Sequence, residues 1–353
     1  MGKKLKVGNI GCGGIGMQKH LPAIAKIPEA EVTAFCDIAH ERAENCRKQF
    51  GTKDAKVYTD YRELLKDSSI DVIYINTPNR SHSPITVAAL EAGKHVMCEK
   101  PMAPSYEEAK KMTETAQKTG KLLTIGYQNR CKPEALYLKQ ICERGDLGEI
   151  YFAKAHAIRR RAVPTWGVFL NEKEQGGGPL IDIGTHALDL TLWMMNNYKP
   201  KSVMGSVYKK LNDNPDCGNI FGPWDPKEYT VEDSAFGFIT MENGATIILE
   251  SSWALNTLDV GEGICTLCGT KAGADMKDSL RINFDDFGKL TVTKPDLCAS
   301  GASTEPRDIE CRNFFDAILY GAELRVKPQE AMVVTQILEA IYESARTGRQ
   351  VVF

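Results

Sequence analysis

A doubly wound parallel α/β domain followed by an α+β domain with a large, mostly antiparallel, open-faced sheet is the fold class this 353-residue sequence predicts. Three observations carry that expectation. Short apolar runs alternate with helix-length segments through the first part of the chain. A glycine cluster, Gly11 to Gly16, lies between the first strand and the first helix. After Tyr127 the pattern changes to long alternating segments, two of them joined by Asn243-Gly244, a strong hairpin signal. The expected domains are residues 1–126 and 127–353.

Leu5 to Ile10 reads as a buried strand running straight into Gly11-Cys12-Gly13-Gly14-Ile15-Gly16 and then a helix to Ala25. The glycines permit a tight turn, let backbone N–H groups approach a pyrophosphate, and allow the helix to pack close to the strand. A second strand, Glu31 to Asp37, ends in an acid at the spacing this motif requires. Asp37 is expected to accept hydrogen bonds from the adenosine ribose hydroxyls. Its charge repels a 2′-phosphate and no arginine stands at Ile38 or Ala39, so the expected cofactor is NAD rather than NADP. These features make the first domain a Rossmann domain.

The alternation continues with helix His40 to Phe50, a short strand near Val57-Tyr58, helix Tyr61 to Leu65 and a buried strand from Ile70 to Asn76. Helix Ser83 to Ala92, strand His95 to Cys98, helix Tyr106 to Thr119 and strand Lys121 to Tyr127 follow. Strands separated by helices imply right-handed crossovers and a parallel sheet. Asn76, Thr77 and Pro78 then lie at a strand's carboxyl end, expected to line the cofactor beside Glu99 and Lys100. His82 reads equally as a helix-start cap or as a cofactor ligand.

Beyond Tyr127, a helix from Pro133 to Arg144 precedes strands near Glu149 to Ile158, Lys201 to Lys209, Glu232 to Met241 and Ala245 to Ala254. Shorter strands are expected around Ile264 to Cys268, Ala272 to Met276 and Lys289 to Thr293, and helices Arg307 to Tyr320 and Gln329 to Arg346 close the chain. A sheet of this kind offers one face to a partner, so a homodimer or homotetramer through it is expected.

Composition bounds the function. With 44 basic and 46 acidic residues the net charge is -2, which supplies no field for nucleic acid or an anionic membrane, and the expected partner is a small molecule. Met1 to Lys6 lacks the apolar core of a signal peptide, Lys6 breaks an acylation pattern at Gly2, and no apolar run is long enough to span a bilayer. A cytoplasmic protein is expected. The eleven cysteines are scattered and read as reduced thiols; Cys265 and Cys268 have no further ligands at set spacing, so no metal is expected.

Two stretches carry chemistry. Strand His95 to Cys98 is followed by Glu99 and Lys100 and stopped by Pro101, which puts a cation at the strand end where ligands bind in such sheets. In the second domain, Gly176-Gly177-Gly178 leads through Pro179 to Asp182 and His186, four apart on a helix, where a carboxylate can orient an imidazole for acid/base work. Such a glycine run costs backbone entropy and implies that the backbone passes close to something. Arg159 and Trp166 precede it and are candidates for substrate contact. Trp166 reads either as a stacking surface for a pyranose or as a packing aromatic.

The chain resembles the glucose-fructose oxidoreductase/inositol dehydrogenase/rhizopine-catabolism family (Gfo/Idh/MocA). The resemblance rests on Gly11 to Gly16 with His20, Thr77-Pro78-Asn79 with His82, Ala92 to Val96 with Glu99-Lys100-Pro101, Gly176 to Asp189, and Ala340 to Ala345. It implies a two-domain NAD(P)-dependent dehydrogenase that oxidises a secondary hydroxyl of a sugar, sugar derivative or inositol-like polyol, or runs in reverse. It further implies that Lys100, Asp182 and His186 form the catalytic trio. Relatives in the family include NAD-dependent glycosidases that oxidise transiently and non-catalytic nucleotide-binding sensors; both stand as alternatives, the second disfavoured by the presence of all three residues.

Overall fold

The computed structural model describes residues 4–214, 216, 218–297 and 305–353; the start of the chain at Met1 to Lys3, and Cys217 and Cys298, lie outside them. In chain order the strands are β1 (Leu5–Ile10), β2 (Ala30–Cys36), β3 (Gly51–Tyr58), β4 (Val72–Ile75), β5 (His95–Cys98), β6 (Leu123–Ile125), β7 (Ile150–Ile158), β8 (Pro200–Tyr208), β9 (Ser234–Met241), β10 (Thr246–Ser252), β11 (Gly261–Gly269), β12 (Ala272–Asp275), β13 (Arg281–Asp286), β14 (Lys289–Thr293) and β15 (Val351–Val352). The helices are α1 (Leu21–Ile24), α2 (His40–Phe50), α3 (Tyr61–Leu65), α4 (His82–Glu91), α5 (Tyr106–Thr119), α6 (Pro133–Arg144), α7 (Glu172–Gln175), α8 (Thr185–Met195), α9 (Pro306–Tyr320) and α10 (Pro328–Thr347). Two π-helical turns, Gly16–His20 and Leu180–Gly184, lead into α1 and α8.

The chain divides into two compact units, Met1–Cys131 with Ser303–Met332, and Lys132–Ala302 with Val333–Phe353. In the first, six strands form a parallel sheet in the order β3-β2-β1-β4-β5-β6. The order reverses beside β1, the switch point at which such sheets bind ligands outside their carboxyl ends. β4 and β5 are buried on both faces, as continuous apolar runs in parallel sheets must be. Helix starts follow local chemistry: Ser105 caps α5 by accepting the Glu108 N–H, and Gly120 at φ 64° ends it.

Residues 305–332 correct the expected boundary. Assigned from sequence to the second domain, they pack with the first, because α9 presents Phe314 and Phe315 to the ring of Tyr74 in β4 at centroid distances of 6.1 and 6.4 Å. All three aromatics are almost wholly buried, and an apolar face of that size holds the helix wherever the chain connects it.

In the second unit, nine strands form one sheet in the order β14-β13-β12-β11-β7-β10-β9-β8-β15, antiparallel except for β10 against β7. The β9–β10 turn closes with Met241 and Ala245 paired and Gly244 at φ 87°, a left-handed position that glycine takes without cost. α10 lies close on β8 and β9. A Cβ on Gly205 would stand 2.7 Å from the Ile341 carbonyl oxygen, and one on Gly237 would stand 2.6 Å from the Ile341 side chain. β13 was not anticipated: Ile282 and Phe284 alternate with polar residues, but the strand is short and buries neither face fully. The nine described cysteines are free, and no helix among the described residues is long and apolar enough to cross a membrane.

Candidate active site

In the first unit the glycines of the β1 turn divide by what surrounds them. Gly11 has φ 93°, and a Cβ there would stand 2.4 Å from the Asn76 carbonyl oxygen; a Cβ on Gly16 would stand 2.6 Å from the Gly11 oxygen. Both are therefore closed to any other residue. Around Gly13 and Gly14 a Cβ would meet nothing within 4 Å. Backbone is thus open to an incoming group at those two positions, beside Ile15, and tightly folded on either side.

Asp37, at the end of β2, ties down this turn. Its carboxylate accepts the Cys12 N–H at 2.8 Å and the Ala39 N–H at 2.9 Å, leaving lone pairs on both oxygens for further donors. Ile38 beside it is 93% exposed. Asn76, at the end of β4, donates to Asn9 at 2.8 Å, and Asn9 donates to the Gly11 carbonyl at 3.0 Å. The Asn76 side-chain oxygen and the Thr77 hydroxyl are buried without a hydrogen-bond partner among the described residues, a costly arrangement unless a ligand supplies one. Pro78 follows in extended conformation.

Glu99 and His82 sit at one remove. Both oxygens of Glu99 are engaged: one with His20 Nε2 at 2.7 Å and Arg307 at 2.6 Å, the other with the Lys100 backbone N–H at 2.9 Å. Burial would raise the Glu99 carboxyl, but the Arg307 guanidinium and the His20 ring hold it well below the usual carboxylate range. Burial lowers His20, and Arg307 adds to this against the pull of Glu99. His82 is wholly buried, with Nδ1 2.7 Å from the Pro101 oxygen and Nε2 3.0 Å from the Thr77 oxygen; burial lowers it too. His82, expected to touch a cofactor, bridges the loops after β4 and β5, and Glu99, expected to do the same, ties the end of β5 to His20 and Arg307. Lys100 itself is partly exposed at the end of β5.

The second unit holds the other constellation. Asp182 lies in the π-helical turn and His186 in the first turn of α8, so their spacing spans a junction rather than one regular helix face. Asp182 accepts the Trp253 indole N–H at 3.0 Å. His186 is 7% exposed. The triple glycine has a partner within the chain. A Cβ on Gly177 would stand 2.0 Å from the Tyr342 hydroxyl, and one on Gly178 would stand 2.4 Å from the Glu232 carbonyl oxygen. Glu232 accepts the Gly178 N–H at 2.8 Å, the Leu180 N–H at 3.1 Å and the Tyr342 hydroxyl at 2.8 Å, so a buried carboxylate satisfies the open N–H groups ahead of α8. Glu232, Tyr342 and Trp253 escaped the sequence reading; the close approach implied by the glycines was the one signal pointing to Glu232 and Tyr342, and none pointed to Trp253.

Arg159 is not poised as expected. Its Nε and Nη2 form a bidentate pair with Glu262 at 2.6 and 2.9 Å, which, against the opposing effect of burial, raises the guanidinium further. Trp166 is half-exposed and packs edge-on against Phe221 and Phe169 at 4.7 and 5.8 Å. The first unit thus gathers the glycine turn, Asp37 and Asn76, and the second gathers Asp182, Trp253 and the aromatics.

Residues 5–127 match the family model described as the GFO/IDH/MocA oxidoreductase family with an NAD-binding Rossmann fold, and residues 135–275 match the GFO/IDH/MocA C-terminal domain. D-glucoside 3-dehydrogenase of Escherichia coli (strain K12) is 36% identical over 348 residues, 98% of this chain and 97% of that one. Glucose-6-phosphate 3-dehydrogenase of Bacillus subtilis (strain 168) is 35% identical over 214 residues, 59% of this chain and 58% of that one. A solved structure of levoglucosan dehydrogenase in complex with NADH shares the fold, with a TM-score of 0.83 at 24% identity over 99% of each chain.

Proposed function

Because the chain belongs to the Gfo/Idh/MocA family of oxidoreductases acting on CH–OH groups, we propose that it is an NAD-dependent dehydrogenase oxidising a secondary ring hydroxyl of a glucosyl compound to a ketone. The observation that carries the reading is the β1 turn, open at Gly13 and Gly14 and closed at Gly11 and Gly16, which fits a pyrophosphate against backbone N–H groups. The two 3-dehydrogenases among its relatives favour a glucosyl substrate.

Gly11 to Gly16 would hold the pyrophosphate, Asp37 the ribose hydroxyls, and Asn76, Thr77 and Pro78 the remainder, with the unpartnered Asn76 oxygen and Thr77 hydroxyl as acceptor and donor. Bound NAD supplies a hydride acceptor for the carbinol carbon. His186 takes the hydroxyl proton as general base, and Asp182, fixed by Trp253, orients the imidazole. Lys100 steadies the negative charge that develops on the oxygen, its backbone held by the Glu99 carboxylate. The preference for NAD rests on the negative charge of Asp37 and the absence of a cation at Ile38. A panel of glucosides, glucose phosphates, inositols and free sugars with NAD and NADP, read for reduced cofactor and keto product together, tests the assignment. Keto sugar with NADH in equal amounts supports it; cleaved glycoside without net NADH points to transient oxidation.

A homo-oligomer through the outer face of the nine-stranded sheet is part of the same reading. Met204 and Phe238 lie opposite one another on β8 and β9 and are both about half-exposed, an apolar pair suited to a second copy.

A further inference from the structure

Trp166 and Phe221 are 50% and 43% exposed, and Ile220 beside them is 78% exposed. Large apolar groups on a flexible loop would need no explanation, but this loop is held in place. Asn219 accepts the Val163 N–H at 2.8 Å and donates to the Val163 and Gly222 carbonyls at 3.0 and 2.7 Å. The Thr165 hydroxyl donates to the Phe221 carbonyl at 2.7 Å, and the Ile220 N–H to the Arg161 carbonyl at 3.1 Å. The two segments are thereby zipped into a platform whose outer corner is the perpendicular Trp166–Phe221 pair, at 87°.

The platform has an inner end. From Trp166 the rings step to Phe169 at 5.8 Å and from Phe169 to Trp253 at 6.4 Å, and the Trp253 indole donates to Asp182. The aromatic run therefore leads from the buried Trp253, bound to a carboxylate assigned to the chemistry, to the exposed Trp166. Of the neighbouring arginines, Arg159 is paired with Glu262, Arg161 donates to the Asn256 side-chain oxygen at 2.6 Å, and Arg160 is exposed. The corner itself is made of exposed rings, which suit an apolar group.

We propose that the Trp166–Phe221 corner is an aglycone subsite, taking an apolar or aromatic group carried by a glucoside whose sugar ring lies toward Asp182. The inference rests on the sugar-dehydrogenase reading above and adds the class of substituent. Rings there gain buried apolar area and edge contacts that a methyl aglycone cannot reach.

The test compares phenyl β-D-glucoside with methyl β-D-glucoside in the wild type and in Trp166→Ala and Phe221→Ala, with Trp166→Phe and Phe221→Leu as conservative partners. The wild type favours the phenyl glucoside in kcat/KM, and each alanine variant lowers the phenyl-to-methyl ratio by about tenfold, the scale of losing an anchoring aromatic, with partial recovery in the conservative variants. Equal ratios in all five enzymes overturn the proposal. So does a change of oligomeric state in the alanine variants with the ratio intact, which makes the corner a subunit contact. Calorimetric binding of both glucosides separates the two levels of inference. If neither is oxidised but the phenyl glucoside binds the wild type more tightly than the alanine variants, the dehydrogenase reading fails and the subsite stands; if it binds all of them alike, both fall.

Discussion

At the scale of single residues, Glu99 shows how a motif divides its labour. The lysine after it is the group proposed for the chemistry, while the glutamate is consumed in an ion cluster with His20 and Arg307. The Glu-Lys-Pro run was legible, but its partners were not. His20 is 79 residues away and Arg307 lies in α9, so only the folded sheet brings them together. Glu99→Gln removes one of the two buried carboxylates paired with Arg307, leaving Glu310 at 2.7 Å, and is expected to cost about 1.5–3 kcal/mol at neutral pH. The sign with pH follows from the shifts. A carboxyl held below its ordinary value stabilises the fold above about pH 4.3 and loses that contribution as pH falls. The variant therefore approaches the wild type in acid. His20, lowered by burial, disfavours the fold as pH drops below about 6.5 in both proteins. Urea unfolding across pH measures this; a gap that stays constant into acid contradicts it. Asp37 carries a second expectation: Asp37→Ser with Ile38→Arg shifts affinity from NAD toward NADP in direct titration, and an unmodified protein that already prefers NADP refutes the ribose argument.

Elements carry the next layer, and their glycines separate fold from site. Gly11→Ala forces a left-handed backbone and a collision with the Asn76 oxygen, and is expected to cost about 1–3 kcal/mol. Gly13→Ala meets nothing in the chain, so it leaves stability within about 0.5 kcal/mol while weakening NAD binding about tenfold or more. Melting and calorimetry on both variants check the division; loss of stability in Gly13→Ala alone reverses it. The triple glycine was read correctly as a close approach, but the approaching groups turn out to be Tyr342 and Glu232 of the same chain. Their identity was hidden because α10 and the residues just before β9 lie far along the sequence from residue 178. Gly178→Ala, facing the Glu232 carbonyl, is expected to destabilise the protein by about 1–3 kcal/mol and to lower turnover while NAD affinity holds. Retained turnover would sever the link between this anchor and the helix bearing His186.

Across the whole molecule, periodicity specified both sheets because buried parallel strands and half-buried antiparallel ones leave different patterns in sequence. It did not place residues 305–332, whose apolar face on α9 has no signature naming the sheet it packs on, nor β13, which buries neither face fully. The proposed contact through the open face of the large sheet has its own test: Phe238→Asp is expected to shift the particle toward a monomer in light scattering, and an unchanged mass removes that face as the contact. The central claim is that His186 and Lys100 serve one NAD-linked oxidation. The most direct measurement is single-turnover formation of NADH from a glucoside, followed against pH in the wild type, His186→Ala and Lys100→Ala, with NAD binding measured alongside. The account predicts a rate rising with pH through one ionisation in the wild type, loss of that rise in His186→Ala, and rates lowered by at least about 100-fold in both variants with NAD affinity kept within a few-fold. Wild-type rates in either variant, or a pH limb unaltered without His186, would contradict it.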